Sequence, residues 1–517
     1  MESVVILSSR RLLAPVVAAL SAALVVVLGW RGVDWPAQVY RVELFRNYGW
    51  IGFDAGWFGG HYPLAYSVVF PPLAALVGVD VVAVASAVVA AWAFDRLVGD
   101  HFGPRATVGS LCFAIGTAVQ VAIGQLPFLL GVALALLAVL AYRSHRPWLA
   151  AVVAVACALT SPEAAAFLAL AALARATTVG RGLRSRAVLF GAAATLPILL
   201  VVALYRQTGR FPFRVSALAC VLAACVAALV ILPAGERALR RGAVIYGLAA
   251  VVLFVIPNPV GGNMTRLGAV VGAPLLACSA TSRRRLMTAA AVPLVVWQWS
   301  PAFGAVAGSQ QVTQRQADYF APLLVELQQL QVAPARLEIP PTQDHWETAW
   351  VAPTIPLARG WDRQLDTVDN PMFYEPDTLN ASVYRSWLYD NGVTLVAMPS
   401  VQLDYSAEEE ATLIRSGLSY LQPIWHNADW QLWQVTGAPG LVSGPARLTS
   451  LGPNEFSVDA TTPGDIVVRV RYTPMWKVDS ESACLSPTSD GWTRVRASRP
   501  GTLLVSASLL PHRQVAC

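Results

Sequence analysis

Long apolar runs, separated by short loops that carry arginine, fill the first three hundred positions of the chain. A helix needs about 20 consecutive apolar residues to cross a bilayer. The second run is unusually long, and we expect it to break near Pro71 and Pro72. The pattern predicts eleven membrane-spanning helices, give or take two, at residues 12–30, 65–97, 106–122, 126–142, 148–160, 164–175, 187–205, 214–233, 242–256, 266–280 and 286–300.

From about Gln310 onward the pattern changes to short strands and amphipathic pieces. Thr394–Met398 is typical of a buried strand, and Ser406–Leu418 is typical of a helix with acidic residues in its first turn. Residues 466–472 alternate apolar and polar side chains, and residues 502–509 do so more loosely. We therefore predict a polytopic α-helical membrane bundle over 1–305, an α+β domain over 306–440 and a β-rich subdomain over 441–517.

Composition narrows the class of protein. Of the 517 residues, 56% are hydrophobic and 13% are charged, and the mean hydropathy is +0.52, which makes a soluble enzyme a poor interpretation. The net charge of +6 does not indicate nucleic acid as a partner, because most arginines lie in clusters between apolar runs. No small-residue cleavage site follows the first run, which favours a retained helix over a signal peptide.

The arginine clusters also predict topology, because cytoplasmic loops are enriched in basic residues. With eleven spans, every cluster falls on one side, and the loops 31–64, 123–125, 206–213 and 257–265 and all residues after Pro301 fall on the other. We therefore expect an integral plasma-membrane protein with a cytoplasmic N-terminus and an exoplasmic C-terminal domain. The clusters are Arg10 with Arg11, Arg96 with Arg105, Arg143 with Arg146, Arg175 to Arg186, Arg237 to Arg241, and Arg283 to Arg285.

Two cysteines, Cys484 and Cys517, lie in the C-terminal part, and the other five lie in apolar runs. An oxidising compartment would allow these two to pair. The alternative is that both thiols stay free.

The first predicted exoplasmic loop concentrates acidic, aromatic and histidine residues. It contains Asp34, Glu43, Asp54, Trp57 and His61. A carboxylate at the mouth of a helix bundle can act as a general base toward an acceptor hydroxyl, or it can hold a divalent metal against a phosphate. The alternative is that Asp34 caps an interfacial helix while the tryptophans form an aromatic belt.

This loop resembles that of the GT-C superfamily of membrane glycosyltransferases, which carries a catalytic acidic residue close to the end of the first helix. Trp57, Gly60, Tyr62 and Leu64 follow a W-x-x-G-x-x-Y-x-L pattern, with the tyrosine one position early. The resemblance implies a GT-C-like bundle that takes a sugar from a polyprenyl phosphate, and it places the catalytic residue at Asp34. Glu43 is a second catalytic candidate, and Asp54, Trp57 and His61 are candidates for substrate binding.

A second candidate region is the segment that ends in Arg266. Its glycines would let backbone amides approach an anion, and Arg266 with Asn263 would bind the departing phosphate. The alternative is a turn whose arginine reaches the lipid head groups. Glu163 is a third substrate-binding candidate, because ionisable groups near membrane depth are often functional. The alternative is that Glu163 only stabilises the first turn of a helix that Ser161 caps.

The C-terminal part is rich in tryptophan, which either stacks on sugar rings or fills the core. A polar stretch, His345 to Glu347 together with Arg359 to Asp366, is a candidate for lining a site. The tryptophans are Trp346, Trp350, Trp361, Trp387, Trp425, Trp430, Trp433, Trp476 and Trp492. We find no zinc-ligand spacing, Walker loop or nucleophile elbow in the sequence.

These observations favour a glycosyltransferase that moves a sugar from a polyprenyl-phosphate donor to an envelope glycan or glycolipid. The architecture is similar to that of actinobacterial arabinosyl and mannosyl transferases. The expected partners are the sugar donor, the acceptor and membrane lipid, and nucleic acid is not expected. The sequence does not identify a cofactor, and a divalent metal is one option. The alternatives are a transporter or lipid flippase with hinges near Pro71, Pro162 and Pro257, and a non-enzymatic scaffold that presents a glycan-binding domain.

Overall fold

The computed structural model describes residues 12–205, 209–279, 284–308, 315–332, 334–512 and 517. Arg10, Arg11 and Arg283 of the predicted arginine clusters lie outside these residues. The chain divides into two compact units. The first comprises Met1–Gln38, Tyr66–Ala203 and Arg210–Gln310, and the second comprises Val39–Ala65, Leu204–Gly209 and Gln311–Cys517.

A helix or a pair of helices coincides with each predicted apolar run. The second run forms two helices that separate at Gly78, whereas Pro71 and Pro72 lie in the first turn of the shorter one, where proline is tolerated. The break predicted at the prolines is therefore wrong by a few residues. The helices of the first unit are Leu13–Val27, Phe70–Val77, Val79–Phe102, Thr107–Ile123, Leu126–Arg143, Pro147–Thr160, Pro162–Ala176, Arg181–Tyr205, Val215–Ile231, Arg237–Val255, Thr265–Cys278 and Arg284–Gly308, and Trp35–Tyr48 begins in this unit and ends in the second.

Within the described ranges, five helical stretches are long and apolar enough to cross a membrane. The expectation of eleven spans is therefore wrong by this measure. The remaining helices are too short, because at 1.5 Å per residue the 15 residues of Leu13–Val27 cover about 22 Å of an apolar layer that is about 30 Å thick. The five stretches are Val79–Ile123, Leu126–Arg143, Arg181–Tyr205, Arg237–Val255 and Arg285–Gly304.

The helices of the first unit bury small side chains and expose large apolar ones. On Leu13–Val27, Ala14, Ala18 and Ala22 recur at every fourth residue and are buried, whereas Leu20 is 68% exposed. Small residues at helix contacts allow close backbone approach, and exposed leucine is stable against lipid but not against water. This inside-out pattern is what a lipid environment favours.

The second unit begins with a mixed four-stranded sheet whose strands lie in the order 336–338, 393–399, 430–435 and 421–426; the first two are parallel and the other pairs are antiparallel. The predicted strand at residues 394–398 is confirmed. The predicted helix at 406–418 is shorter, spanning Glu408–Arg415, and the Asp404 side chain caps the turn before it. The strands are β1 Arg336–Glu338, β2 Val393–Pro399, β3 Leu421–His426 and β4 Trp430–Val435, and the helices are Ala317–Gln329, Glu347–Trp350, Arg363–Asp369, Ala381–Asp390 and Glu408–Arg415.

The rest of the second unit is a sandwich of two antiparallel sheets. The strands of one lie in the order 483–487, 492–497, 464–471 and 442–443, and those of the other in the order 446–451, 455–460, 501–507 and 476–478. Inward-facing residues of both sheets, among them Val458, Val468 and Val505, share one core. The predicted strands at 466–472 and 502–509 are confirmed, and Cys484 and Cys517 form a disulfide. The strands are β5 Val442–Ser443, β6 Ala446–Leu451, β7 Glu455–Ala460, β8 Gly464–Arg471, β9 Trp476–Val478, β10 Ala483–Pro487, β11 Trp492–Ala497 and β12 Gly501–Ala507.

Residues 39–64 of the first predicted exoplasmic loop are part of this second unit, whereas residues 31–38 belong to the first. Phe53 and Ala55 lie in the core of the sandwich, and the Phe53 ring packs edge-on against Trp476 at 4.9 Å between centroids. The Ala55 N–H donates to the Pro453 carbonyl at 2.7 Å. Assigning the whole of residues 1–305 to the bundle therefore does not match the structure, because Phe53 and Ala55 are buried in the core of the second unit.

Candidate functional site

Three residues that the sequence singled out separately come together in the first unit. The Arg266 Nη1 atom donates to Glu163 Oε2 at 2.6 Å, and Arg266 Nη2 lies 3.8 Å from Asp34 Oδ2. Their side chains are only 18%, 15% and 12% exposed. Two carboxylates thus flank one guanidinium within an apolar helical unit.

Asp34 is held in place by the end of the helix Thr107–Ile123. The Gly32 and Asp34 N–H groups donate to the carbonyls of Ala122 and Ile123 at 2.8 and 3.0 Å. The contact requires glycine at Gly124, which has φ +95° and where a Cβ atom would lie 2.4 Å from the Trp35 nitrogen. The position of Asp34 is therefore fixed by backbone contacts rather than by a mobile loop.

Glu163 occupies the first turn of the helix Pro162–Ala176. The Ser161 hydroxyl oxygen accepts from the Ala164 N–H at 3.3 Å, so the predicted serine cap is confirmed. The carboxylate of Glu163 also pairs with Arg266, and its Oε1 atom is buried without a hydrogen-bond partner in the described part of the chain. Glu163 thus begins a helix and also holds Arg266.

The turn before Arg266 differs from the predicted anion-binding loop. The N–H groups of Val260 and Gly261 donate to the Asn258 side-chain oxygen at 2.9 and 2.8 Å, and the Gly262 N–H donates to Pro212 O at 3.2 Å. These amides are therefore satisfied within the protein, and Asn258 organises the turn. Asn263, the predicted substrate contact, lies half-buried in the short turn Gly261–Met264.

Aromatic and amide side chains surround the charged group. The Arg266 guanidinium lies 5.4 Å from the centre of the Phe128 ring, which is a cation–π distance. Gln38 Nε2 donates to the backbone oxygen of Asp34 at 3.3 Å and to the Tyr66 hydroxyl at 3.4 Å. Sequence reasoning missed Gln38, Tyr66 and Phe128, because glutamine, tyrosine and phenylalanine near helix ends have no distinctive pattern.

Asp54 and His61 lie in the interior of the second unit. Their backbones exchange two hydrogen bonds of 2.9 Å, and the Tyr40 hydroxyl donates to Asp54 Oδ2 at 2.8 Å. Trp57 stacks on His61 with ring centres 4.8 Å apart. Burial raises the pKa of Asp54 to about 6 and lowers the pKa of His61 to about 3.

All three of these predicted substrate contacts, Asp54, Trp57 and His61, are at most 2% exposed. Their contacts organise the loop, and a substrate would reach them only if the second unit opened. Glu43 also belongs to this unit. Its side chain is 46% exposed and accepts from Arg46 at 3.4 Å and from Asn47 at 3.1 Å on its own helix.

The polar stretch of the C-terminal part forms a buried ion-pair network. Arg359 donates to both carboxylate oxygens of Asp366 and, at 3.2 Å, to Glu410 Oε2. Although burial opposes it, the Arg359 guanidinium lowers the pKa of Asp366. The sequence did not reveal Glu410, because it lies in a run of three glutamates that is typical of a solvated first turn.

His345 belongs to the same network. Its ring nitrogens lie 3.5 Å from Glu347 Oε1 and 3.7 Å from Asp404 Oδ2, and Arg363 donates to both oxygens of Asp404 at 2.9 Å. Burial alone would lower the pKa of His345, but its interactions with Asp404 and Glu347 raise it to about 9. The histidine is therefore cationic at neutral pH.

The tryptophans of the C-terminal part mostly fill the core. Five of the nine are buried and four are half-buried, so the packing interpretation describes them better than an exposed sugar platform does. Within the described ranges, no group of three or more His, Cys, Asp or Glu side chains could hold a metal. A divalent metal at Asp34 would thus need water or substrate phosphate as further ligands, as Mg²⁺ often has.

No protein-family model matches the chain, and no curated protein sequence matches it significantly.

Proposed function

We propose that this chain is a plasma-membrane glycosyltransferase that moves a sugar from a polyprenyl-phosphate donor to an envelope glycan or glycolipid on the exoplasmic side. The N-terminus would be cytoplasmic. The proposal rests on the convergence of Asp34, Glu163 and Arg266 in the helical unit. A lipid-linked sugar needs a cation for its phosphate and a carboxylate for the acceptor, both next to an apolar surface.

In the proposed reaction Asp34 is the general base. An acceptor hydroxyl oxygen forms a bond to the anomeric carbon of the sugar, and the bond from that carbon to the phosphate oxygen breaks. The hydroxyl proton passes to Asp34, and the polyprenyl phosphate leaves with the bonding electron pair. No oxidant or reductant is needed.

Arg266 would bind the phosphate of the donor. A guanidinium can donate two parallel hydrogen bonds to phosphate oxygens, and such charge-assisted bonds are stronger in a site of low polarity. Arg266 Nη1 already donates to Glu163 Oε2 at 2.6 Å. A bound phosphate would therefore displace Glu163 or share Arg266 with it. Glu163 is in this scheme a positioning residue for Arg266.

The test is transfer by purified protein from a radiolabelled polyprenyl-phosphate sugar to envelope lipid acceptors. Asp34→Asn removes the base with little change in shape, and loss of a general base typically costs a factor of about 100 to 10,000 in rate. Asp100→Asn, an exposed carboxylate of the same unit that pairs with Arg96 at 3.6 Å, is the matched control. Full activity of Asp34→Asn with correct folding would refute the assignment.

A second candidate function is proton-coupled transport of a lipid or solute. It is favoured by the same three ionisable residues, because buried carboxylates paired with arginine occur in the proton relays of carriers. The helix break at Ser161 and Pro162 would serve as the hinge beside Glu163. Uptake or lipid flipping in proteoliposomes that depends on Glu163, without sugar transfer, would favour this function.

A further inference from the structure

A cavity of about 360 Å³ lies in the first unit, and its lining does not include Asp34, Glu163 or Arg266. It is lined by residues that follow the helix Pro162–Ala176, by the end of Val215–Ile231 and by the first turns of Arg237–Val255. Its polar lining consists of Thr177, Thr178, Arg237, Arg240 and Arg241. Among the residues that the structure describes, no acidic one lines it.

The three arginines differ in what holds them. Arg240 is anchored, because its Nη1 atom donates to the Leu229 and Leu232 carbonyls at the end of the preceding helix. For Arg237 and Arg241, no ion pair or side-chain hydrogen bond occurs with any residue of the described ranges, and both are exposed. Glu236, the nearest acidic residue in the sequence, lies 2.9 Å from His101 instead. The cavity therefore carries two arginines that pair with no carboxylate of the described ranges.

An apolar surface begins at the edge of the cavity. Val244 lines it, and the same helix continues with Leu248 and Val252, which are 63% and 52% exposed. Arg237–Val255 is one of the five stretches that are apolar enough to cross a membrane. A ligand with a negative head group and an apolar chain would satisfy both parts of this surface.

We propose that this cavity binds the phosphate head group of an anionic phospholipid, with the acyl chains along Val244, Leu248 and Val252. Basic pockets between membrane helices are known to bind such head groups. The site is independent of Asp34 and of the sugar transfer proposed above.

Positive charge near helix ends also acts as a topology signal without any bound lipid. The two roles differ in specificity: a topology signal depends on the amount of charge, whereas a head-group site depends on these particular arginines. A pair of arginines that are also exposed, Arg181 and Arg186 in the first turns of the helix Arg181–Tyr205, supplies the control.

The experiment uses the full-length protein in a neutral detergent, where no anionic bilayer surface is present. Retention of phosphatidylglycerol, compared with phosphatidylcholine, is measured by native mass spectrometry and by thermal stabilisation over a lipid titration. The variants are the doubles Arg237→Gln with Arg241→Gln, and Arg181→Gln with Arg186→Gln. Inorganic phosphate alone is titrated in parallel.

We expect phosphatidylglycerol to bind the wild type more tightly than phosphatidylcholine. The Arg237 and Arg241 double variant should bind it roughly 30-fold more weakly, since each basic residue near an anionic lipid contributes roughly a factor of five. The control double variant should bind as the wild type does. Equal losses in the two double variants, or equal stabilisation by inorganic phosphate, would overturn the proposal, and thermal unfolding without lipid verifies that each variant is folded.

Discussion

The Arg266 guanidinium pairs with Glu163, although the two residues lie 103 positions apart in the sequence. Each of them lies in the first turn of its own helix. Arg266 also lies close to Asp34. A short ion pair between helix starts fixes the helices Pro162–Ala176 and Thr265–Cys278 relative to each other. Both side chains are less than one fifth exposed, so desolvation makes an unpaired partner costly. Any anion that binds Arg266 must therefore compete with Glu163.

This pair predicts an asymmetric response to mutation. Arg266→Ala leaves two carboxylates without their cation and should destabilise the protein by about 3 kcal/mol, whereas Glu163→Gln removes a charge and keeps a hydrogen-bond acceptor, so it should cost less. Thermal unfolding in detergent measures both. The control is Arg96→Ala, whose ion pair with Asp100 is exposed and should contribute less than about 1 kcal/mol. Equal losses in Arg266→Ala and Arg96→Ala would contradict the buried pairing.

The helices of the first unit were predictable because apolar periodicity is a local property. The apolar runs located them to within a few residues, although length excludes several of them as full spans. Asp34, Glu163 and Arg266 were also recognisable individually, because charged residues are conspicuous beside apolar runs. Their convergence was not predictable, since it depends on how helices distant in sequence pack.

The first loop shows where local reasoning fails. Its composition suggested a site at the mouth of a bundle, but Phe53 and Ala55 bury their side chains in the sandwich of the second unit. Asp54 and His61 are buried in the same unit. An alternation of apolar residues over so few positions does not indicate which hydrophobic core will bury them. The sandwich could therefore be identified as that core only from the tertiary structure.

The His345 cluster predicts a loss of stability at alkaline pH. The pKa of His345 is raised to about 9 in the folded protein, against an unfolded value of about 6.5. Its stabilisation is therefore fully present below pH 6.5 and is lost as the pH rises through 9. The loss of unfolding free energy should approach about 3 kcal/mol. Chemical denaturation followed by tryptophan fluorescence measures it at about pH 6 and about pH 9.5, which lie on either side of this window.

His345→Gln should remove this pH dependence, because glutamine does not titrate. His426→Gln replaces an exposed histidine of the same unit and should keep the wild-type slope. Asp404 and Glu347 face His345 from neighbouring segments, and Arg363 lies 3.4 Å from its Nε2 atom. A wild-type slope in His345→Gln would show that another group titrates in this window.

The burial of the first loop predicts strong sensitivity at Gly60. A Cβ atom there would lie 2.0 Å from the Phe53 ring, and Gly60 has φ +151°. Gly60→Ala should therefore displace Phe53 from the sandwich core and cost about 3 kcal/mol or more, comparable with loss of a buried phenylalanine. Thermal unfolding of the full chain in detergent, with tryptophan fluorescence as the readout, measures the loss.

The matched control is Gly49→Ala. Gly49 also has a positive φ, +68°, but nothing lies within 4 Å of its Cβ position. It reports the backbone strain alone, which is about 1 kcal/mol. If the two alanine variants unfolded alike, the packing of Phe53 against Trp476 would not contribute as the structure indicates.

The Cys484–Cys517 disulfide predicts that the C-terminal strands depend on oxidation. The bond closes a loop of 33 residues and brings the two Cα atoms within 5.4 Å. For a loop of that length the chain-entropy model gives a stabilisation of about 3 to 4 kcal/mol. Cys484→Ser and Cys517→Ser should therefore unfold the sandwich at lower denaturant concentration, and by equal amounts, because either change removes the same crosslink. Cys220→Ser changes an exposed cysteine of the helical unit and should leave the transition unchanged.

Intact mass spectrometry checks the Cys484–Cys517 bond itself: reduction should add two hydrogen atoms to the wild type and none to either single variant of the pair. A wild-type chain purified from an oxidising compartment with both thiols open to alkylation would contradict the pairing.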